Sequence, residues 1–302
     1  LVAAKSHRRL PDGRWKRPRI AHVEAGLRSF DPTMPEEINR RLTDALSDDL
    51  FIHSPEARET LLREGADPDS ILEVGNLMID TLDRLLPIAR QSDVLRRLGL
   101  ADGPPRPPGA VRPFALLTLH RPANVDDAEV FRGLLRGVAR IAPELEVIFP
   151  IHPRVRRTLP AALESLRAEN GSALSPIRVI EPLGYLDFIA LMDRAALVLT
   201  DSGGVQEETT ALGVPCLSLR DNTERPVTGP MGPNALAGAS EEGIVREGRR
   251  ALKGGIGGSR GDGRGGRPPL WDGKAGARAA EALVRRAVEA GRAPALSQAV
   301  AS

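Results

Sequence analysis

Short apolar runs alternate with longer amphipathic segments along most of this chain, and this alternation limits the possible folds more than any other feature. Five apolar runs in the second half have the length of strands: Phe114–Leu119, Leu145–Ile151, Ile177–Ile180, Ala196–Thr200 and Pro215–Leu219. Helical patterns fill the gaps between them, near Asp126–Ile141, Val155–Ala168, Tyr185–Ala195 and Val205–Leu212. Strands that alternate with helices predict an α/β fold, in which helices cover a parallel sheet in one complete doubly wound domain.

The first half of the chain offers fewer elements of the same kind. Its candidate strands are Ile20–Glu24, Leu50–His53 and Ile71–Val74. Its clearest helix is Pro35–Leu46, which has proline in the first turn and places Ile38, Leu42, Ala45 and Leu46 on one face. Three strands are few for such a domain, so we predict two Rossmann-like domains, of which the first is incomplete. The predicted divisions are a partial first domain (1–84), a linker region (85–110), a second domain (111–273) and a C-terminal helix and tail (274–302).

The composition does not indicate nucleic acid or a membrane as a partner. Apolar residues make up 41% and charged residues 27% of the chain, and the formal net charge is only +2. No segment reaches the roughly 18 apolar residues of a membrane span, and no signal peptide opens the chain, so we expect a cytoplasmic protein. The basic residues from Lys5 to Arg19 are interpreted as a flexible solvated arm, with a phosphate-binding patch as the alternative.

Cys216 is the only cysteine, which excludes an internal disulfide and a cysteine-based metal site. It lies in the apolar run PCLSL, where a small buried hydrophobic side chain is the usual role. We therefore expect a structural thiol.

The stretch TDSGGVQEE (Thr200–Glu208) follows an apolar strand directly and opens a helix. Ser202 can cap that helix, and the two glycines after it let the backbone approach a ligand closely. The free N–H groups and the dipole of the first turn favour an anion. A sugar nucleotide fits, with its diphosphate on the N–H groups and its ribose hydroxyls on a carboxylate one turn later. The alternative is a capped helix start whose acids, Glu207 and Glu208, are solvated.

Two further polar motifs follow strands and are expected at the same edge of the sheet, because parallel strands all end there. His120 and Arg121 follow the strand FALLTL, where they could bind a diphosphate and the histidine could protonate a leaving phosphate. Glu224 and Arg225 follow the strand PCLSL. A single histidine at a strand end is more often structural, and its shared location with TDSGG is what favours a functional role.

The stretch HVEAGLRSFDPTMPEEINR brings carboxylates to the first half of the chain. Glu24 ends a strand, Gly26 permits a sharp turn, and Glu36 and Glu37 begin a helix. Carboxylates that face an anion-binding partner domain are what proton transfer at a sugar carbon needs. Taken alone, however, Glu36 and Glu37 are ordinary first-turn acids that the helix dipole favours.

The chain resembles the non-hydrolysing UDP-N-acetylglucosamine 2-epimerases in four motifs that occur in the same order: AHVEAGLRSFDPTMPEEINRRLTD, LTLHRPANV, IFPIHPRVR and TDSGGVQEETTALGVPCLSLRDNTERPVT. The resemblance runs from about Ile20 to Thr228, with a looser match at Arg267–Leu283. It implies two Rossmann-like domains with a cleft between them, in the glycosyltransferase-B arrangement. It also implies interconversion of UDP-N-acetylglucosamine and UDP-N-acetylmannosamine for surface polysaccharides, without a metal or nicotinamide, by a homodimer. The implied mechanism eliminates UDP across C1–C2, leaves 2-acetamidoglucal, and adds UDP back with the opposite configuration at C2.

The resemblance also implies roles for residues at matching motif positions. The implied catalytic residues are the carboxylates Glu24 and Glu36 and, beside the glycosidic phosphate, His120. The implied binding residues are Ser202 and Gly203 for the diphosphate, Glu208 for the ribose and Arg225 for the sugar–phosphate region, with Arg121 and Asn39 as weaker candidates. His152 matches a position near the activator-binding side of the cleft, and we do not assign it to catalysis.

The sequence departs from the family pattern before Ile20. The family has a glycine-rich strand–turn with an arginine and a lysine, followed by a strand that ends in a catalytic aspartate, and neither has a counterpart here. Pro233 also replaces the threonine of a GTN-containing loop. We therefore expect this chain alone to be inactive or nearly so. A hydrolysing epimerase that releases UDP and N-acetylmannosamine, and a nucleotide-sugar binding protein without catalysis, stay open as alternatives.

Overall fold

The computed structural model describes residues 5–9, 15–32, 34–101, 111–141, 145–170, 177–222, 226–229, 233–254 and 266–289. The chain divides into two compact units. The first unit consists of Leu1–Asp80 and Pro269–Ser302, and the second of Thr81–Pro268. The last helix of the chain is therefore part of the first unit.

The order of elements is that of an α/β protein. The strands are β1 (Arg8–Arg9), β2 (Trp15–Lys16), β3 (Ala21–Val23), β4 (Asp49–Ile52), β5 (Ile71–Glu73), β6 (Phe114–Thr118), β7 (Glu146–Pro150), β8 (Ile177–Ile180), β9 (Leu197–Thr200), β10 (Cys216–Ser218) and β11 (Asn234–Leu236). The α-helices are α1 (Pro35–Leu46), α2 (Pro55–Arg63), α3 (Leu77–Ala89), α4 (Val94–Arg97), α5 (Pro122–Val125), α6 (Ala128–Ala139), α7 (Leu159–Asn170), α8 (Tyr185–Arg194), α9 (Gly203–Leu212), α10 (Glu241–Leu252) and α11 (Ala275–Glu289). Strands β1 and β2 pair antiparallel, and every other strand pair among the described residues is parallel. The predicted α/β fold with parallel sheets is confirmed.

The first unit is built on the parallel sheet β3-β4-β5. Because side chains alternate between the two faces of a strand, β4 supplies two separate apolar clusters. Leu50 and Ile52 pack with Leu61 of α2, whereas Phe51 packs with Ala279 of α11. Helix α2 therefore covers one face of β4, and α11 covers the other.

Trp271 anchors the segment that leads into α11. Its side chain is 1% exposed, its indole N–H donates a hydrogen bond to the carbonyl of His53 (2.9 Å), and its ring stacks on the imidazole of His53. A buried tryptophan removes a large apolar area from water while its N–H stays paired. This contact therefore holds the start of α11 against the end of β4.

Helix α1 has the predicted bounds, but its buried face is not the predicted one. Ile38 and Leu42 are 51% and 55% exposed, whereas Glu37 and Asp44 are buried. The carboxylate of Glu37 accepts hydrogen bonds from the backbone N–H and the hydroxyl of Ser29, at 2.7 and 2.9 Å. Within the described residues, polar bonds rather than an apolar stripe connect α1 to the preceding loop.

The basic segment before β3 is anchored by ion pairs. Arg17 binds Asp48 through two hydrogen bonds of 2.7 and 2.8 Å, and Arg19 binds the buried Asp49 through two of 3.0 and 2.6 Å. Two parallel bonds to one carboxylate fix the geometry of a guanidinium more firmly than a single contact does. The interpretation of this segment as a solvated arm is therefore wrong for Arg17 and Arg19.

The second unit contains a six-stranded parallel sheet in the order β11-β10-β9-β6-β7-β8. Five of these strands are predicted from the sequence, and β11 is not, because a run of three residues carries no periodicity. Helices bury one apolar face of this sheet in a cluster that includes Leu117, Phe131, Leu134, Phe149, Leu199 and Leu217. Cys216 is fully buried, and burial raises the pKa of its thiol to about 12, as expected for a structural cysteine. None of the described helices combines the length and the apolar character that a bilayer crossing requires.

Candidate functional site

The ends of β6 and β9 bring two of the sequence motifs together at one edge of the second unit's sheet. Thr118 and Thr200 are paired across these adjacent parallel strands. The chain continues from Thr118 to His120 and from Thr200 to Asp201, so both side chains leave the sheet at its carboxyl edge. This is the edge at which folds of this class bind ligands.

Asp201 organises the loop that carries His120. Its carboxylate is fully buried and accepts hydrogen bonds from the backbone N–H groups of His120 (3.0 Å) and Arg121 (2.9 Å) and from the side-chain amide of Asn124 (3.2 Å). Burial alone would raise the pKa of Asp201, but the bonds from His120 and the backbone donors outweigh it and lower that pKa. Asp201 is therefore an ionised acceptor.

The imidazole of His120 is oriented by the same carboxylate. Its Nδ1 lies 2.9 Å from Oδ1 of Asp201, and its side chain is 35% exposed. Because a carboxylate can only accept, Nδ1 carries a proton, and Nε2 is left as the acceptor of the neutral ring. The ring of His152 lies 5.6 Å from that of His120, and burial, followed by the charge of His120, lowers the pKa of His152. The geometry thus presents Nε2 of His120 for proton exchange with a ligand.

The N-terminus of α9 lies directly after Asp201. Ser202 is the N-cap, and its hydroxyl accepts from the backbone N–H of Val205, which confirms the predicted cap. Among the described residues, no hydrogen-bond acceptor is found for the N–H groups of Gly203 and Gly204. Such free first-turn donors, together with the helix dipole, favour a bound anion by about 0.3–2 kcal/mol.

Both acids of α9 are buried. Glu207 is 0% and Glu208 3% exposed, so the alternative in which these acids are solvated is wrong. The hydroxyl of Tyr185 donates a hydrogen bond of 2.5 Å to Oε1 of Glu208. Burial, together with the charge of Glu207, raises the pKa of Glu208 to about 7, although the bond from Tyr185 acts in the opposite direction. Burial and the adjacent Glu208 raise the pKa of Tyr185, which keeps its hydroxyl a donor.

The raised pKa of Glu208 makes stability depend on pH. A carboxyl group that ionises near 4.5 when unfolded and near 7 when folded destabilises the fold as the pH rises through that interval. We expect the free energy of unfolding to fall by about 2 kcal/mol more in the wild type than in Glu208→Gln between pH 5.5 and 8. Urea denaturation at each pH measures this difference. The matched control Glu129→Gln changes a solvent-exposed acid and should follow the wild type, and parallel curves for Glu208→Gln would contradict the assignment.

In the first unit, Glu24 occupies a strained turn at the end of β3. Its φ is +67°, in the left-handed region that costs a residue with a side chain about 1–2 kcal/mol, and Gly26 follows at φ +80°. Asp44 holds this turn, because its carboxylate accepts from the backbone N–H of Gly26 (3.2 Å) and contacts Nδ1 of His22 (2.5 Å) and the guanidinium of Arg28 (2.7 Å). Strain of this kind persists only where surrounding contacts impose it, and it is frequent at functional sites.

The two acids that begin α1 have different surroundings. Glu37 is bound to Ser29 as described above, whereas Glu36 and Asn39 are exposed. Of this pair, Glu36 is the carboxylate that a ligand can reach. Arg225 lies outside the described residues, and the backbone N–H of Arg121 is bound to Asp201.

The structure thus brings His120, Arg121, Ser202 and Gly203 to one sheet edge of the second unit, and it places Glu24 and Glu36 in the first unit. Sequence reasoning did not single out Asp201, Asp44 or Tyr185. Asp201 could have been found, since it is the acid that directly follows a buried strand. Asp44 and Tyr185 lie within helices, and only their tertiary contacts distinguish them.

Comparison with known proteins identifies relatives. The family model "UDP-N-acetylglucosamine 2-epimerase" matches residues 14–284. The UDP-N-acetylglucosamine 2-epimerase of Methanocaldococcus jannaschii is 42% identical over 235 residues, which are 75% of this chain and 60% of that protein. The UDP-2,3-diacetamido-2,3-dideoxy-D-glucuronate 2-epimerase of Pseudomonas aeruginosa is 40% identical over 236 residues, which are 77% of this chain and 60% of that protein. The chain thus spans about 60% of the length of these relatives.

Solved structures of similar proteins have the same fold. The crystal structure of the Methanocaldococcus jannaschii enzyme in complex with UDP-GlcNAc and UDP has a TM-score of 0.73 and 40% identity, covering 88% of this chain and 69% of that one. The enzyme of Neisseria meningitidis bound to UDP-GlcNAc has a TM-score of 0.71 and 27% identity, covering 88% and 70%.

Proposed function

The chain belongs to the UDP-N-acetylglucosamine 2-epimerase family, and we propose that it inverts C2 of UDP-N-acetylglucosamine to give UDP-N-acetylmannosamine. In the proposed reaction, a base removes the proton from C2 as UDP leaves C1, which gives 2-acetamidoglucal. UDP then bonds to C1 again while a proton is delivered to the opposite face of C2. The observation that carries the proposal is the position of the His120–Asp201 pair beside the unpaired N–H groups at the start of α9. A departing diphosphate needs both a proton donor and an anion site.

We assign the diphosphate to the N-terminus of α9. The N–H groups of Gly203 and Gly204 would donate to phosphate oxygens, and the hydroxyl of Ser202 would stay engaged as the cap. Nε2 of His120 would donate a proton or hydrogen bond to the glycosidic oxygen as the C1–O bond breaks. Asp201 stabilises the imidazolium form that this role requires.

Glu24 and Glu36 are the carboxylates that we propose for proton transfer at C2. Removal and return of that proton from opposite faces of the sugar needs two groups, and general acid–base catalysis of this kind contributes about 10²–10⁴-fold to a rate. The strained backbone of Glu24 supports its assignment, since Asp44 and Gly26 hold it in a conformation that packing alone would not favour.

A second candidate substrate is a UDP-sugar with a different ring substitution. The Pseudomonas aeruginosa relative, at 40% identity, is named for UDP-2,3-diacetamido-2,3-dideoxy-D-glucuronate and is nearly as similar as the N-acetylglucosamine enzymes. Inversion at C2 and a UDP leaving group are common to both names. The second unit's anion site would bind the diphosphate of either UDP-sugar. Contacts to the substituents at C3 and C6 would then determine which of the two sugars is the substrate.

Proton NMR in D2O tests the proposed function. We expect the chain to bind UDP in calorimetry and, at a rate well below that of the family, to exchange the C2 proton of UDP-N-acetylglucosamine for deuterium and to form UDP-N-acetylmannosamine. Glu24→Gln should stop the exchange and leave UDP affinity unchanged, whereas Glu129→Gln should alter neither. Free N-acetylmannosamine with UDP would identify a hydrolysing enzyme instead. UDP binding without any exchange would overturn the proposed catalysis, and exchange at a normal family rate would contradict the expectation that this chain alone is impaired.

The homodimer stays a prediction, which analytical ultracentrifugation can check.

A further inference from the structure

Asn124 carries a buried side-chain amide that connects the ends of three neighbouring strands. It lies in α5, directly after β6, and is 4% exposed. Its amide nitrogen donates one hydrogen bond to Oδ2 of Asp201 (3.2 Å), which follows β9, and another to the carbonyl of Leu219 (2.9 Å), which follows β10. Because β10, β9 and β6 are adjacent in the sheet, this amide ties the loop after β6 to both neighbouring strands.

These two hydrogen bonds determine the orientation of the Asn124 amide. A side-chain amide has two N–H donors on its nitrogen and only acceptor positions on its oxygen. After a flip, the oxygen would face the ionised carboxylate of Asp201 and the carbonyl oxygen of Leu219, which can only accept. The amide therefore has one orientation, in which both of its N–H groups are bound.

The two oxygens of Asp201 have different partners. Oδ2 accepts from the backbone N–H of Arg121 (2.9 Å) and from Asn124, whereas Oδ1 lies 2.9 Å from Nδ1 of His120. The backbone N–H of His120 lies 3.2 Å from Oδ1 and 3.0 Å from Oδ2. Each carboxylate oxygen has about two acceptor positions, so the donors on Oδ2 leave the imidazole a position on Oδ1.

Asn124 differs from the two backbone donors because its own anchor lies outside the loop. The backbone donors belong to the loop that carries the imidazole, and they move with it. Leu219 is held by the sheet instead, since its N–H donates to the carbonyl of Thr200 (2.8 Å). The terminal torsion of an aspartate is broad, so a donor at a fixed position restricts it. Asn124 therefore holds the carboxylate of Asp201 in register with the sheet.

We propose that Asn124 is a positioning residue that keeps Oδ1 of Asp201 towards His120, so that the imidazole holds its proton on Nδ1 and presents Nε2 to the ligand. The use of Nε2 rests on the proposed function, whereas the position of the ring proton does not. Without the amide, Oδ2 loses a donor and the carboxylate turns more freely. The ring then also populates the tautomer with its proton on Nε2, which has the wrong nitrogen free.

Nitrogen NMR of the chain labelled with ¹⁵N-histidine tests the proposal without a ligand. The signals of His120 are those that disappear in His120→Gln, and spectra at about pH 9 report neutral imidazole rings. We expect the wild type to carry the proton on Nδ1, and the ratio of this tautomer to the other to fall about fivefold or more in Asn124→Ala, the effect of one hydrogen bond. The matched control Gln91→Ala removes an exposed side-chain amide and should leave the ratio unchanged.

A double-mutant cycle separates positioning from packing. If Asn124 acts through the carboxylate, Asn124→Ala changes the tautomer ratio in the wild type but not in Asp201→Asn, whereas a loss of packing acts in both backgrounds alike. If Asn124→Ala does not fold, Asn124→Ser takes its place in the cycle, because its hydroxyl keeps one donor. We expect its tautomer ratio to lie between those of the wild type and Asp201→Asn.

The proposed reaction supplies a second measurement. Asn124→Ala should lower the rate of C2 exchange about tenfold or more and change UDP affinity less than about threefold, since the N–H groups of α9 bind the diphosphate. An unchanged tautomer ratio, an equal change in the Asp201→Asn background or an unchanged exchange rate would overturn the inference and leave the proposed function standing. If the wild type binds neither UDP nor UDP-N-acetylglucosamine, the proposed function fails, and the tautomer ratio still decides whether Asn124 positions His120.

Discussion

Replacing Asp201 with alanine is expected to destabilise the second unit by about 4 kcal/mol. The substitution removes the acceptor of two backbone N–H groups and of the Asn124 amide, all in a fully buried position. A buried donor left without a partner costs about 1–3 kcal/mol, because it has lost water and gained nothing. Urea denaturation followed by far-ultraviolet circular dichroism measures the loss. The matched control Asp126→Ala, which removes an exposed acid paired with Arg154, should cost less than about 1 kcal/mol.

The variant Asp201→Asn separates the stability effect from the chemical one. The asparagine side chain has the volume of the aspartate and keeps one acceptor oxygen. We therefore expect the variant to fold, with a smaller loss in the free energy of unfolding than Asp201→Ala. It cannot stabilise a protonated His120, and we expect C2 exchange to fall by about 10²–10⁴-fold while UDP affinity changes less than tenfold. Exchange at the wild-type rate in Asp201→Asn would show that His120 does not depend on this carboxylate.

Replacing Gly75 with alanine is expected to cost the first unit more than about 4 kcal/mol. Gly75 has φ +88°, and a Cβ at this position would lie 2.1 Å from the carbonyl oxygen of Leu270. That oxygen belongs to the backbone, so it cannot rotate away as a flexible side chain would. The segment that carries Leu270 and Trp271 would have to leave the end of β5, with the loss of the Trp271 anchor. Guanidinium denaturation followed by tryptophan fluorescence measures this loss.

Gly65 provides the control for this prediction. It has nearly the same backbone conformation, φ +87°, but a Cβ there meets no atom within 4 Å. Gly65→Ala should therefore cost only the conformational term, about 1 kcal/mol. Equal losses for Gly65→Ala and Gly75→Ala would mean that the close approach of Leu270 to β5 is not present in solution.

The second unit's fold could be predicted from the sequence because its strands are continuous apolar runs. All four residues of β9 and four of the five residues of β6 are buried, which is the pattern of a parallel sheet with both faces covered. Helix α1 shows the limit of the same reasoning. The spacing of apolar residues along α1 predicts where the helix begins and ends. The same spacing does not show whether the apolar face or the polar face of the helix packs against the rest of the unit. Ile38 and Leu42 are exposed here, because Glu37 and Asp44 bind loop groups whose positions depend on the tertiary structure.

The candidate site could be predicted in outline, since its motifs follow strands and parallel strands end at a common edge. That rule places His120 and Ser202 together from the sequence alone. It could not find the residues that hold them. Asp201 gains its role from three donors that lie about 80 positions earlier in the chain, and Tyr185 from a carboxylate on another helix. Such contacts between distant parts of the chain leave no local pattern.

The first unit is built from two separate stretches of the chain, which has a consequence for synthesis on the ribosome. The second unit is one continuous stretch and can fold once Pro268 has emerged, whereas Phe51 is covered only after α11 has been translated. At 5–20 residues per second, synthesis from Phe51 to the end of α11 takes on the order of 10–50 s, and during this time α11 does not cover this face of β4. The nascent chain therefore passes through an interval in which α11 cannot yet protect that strand.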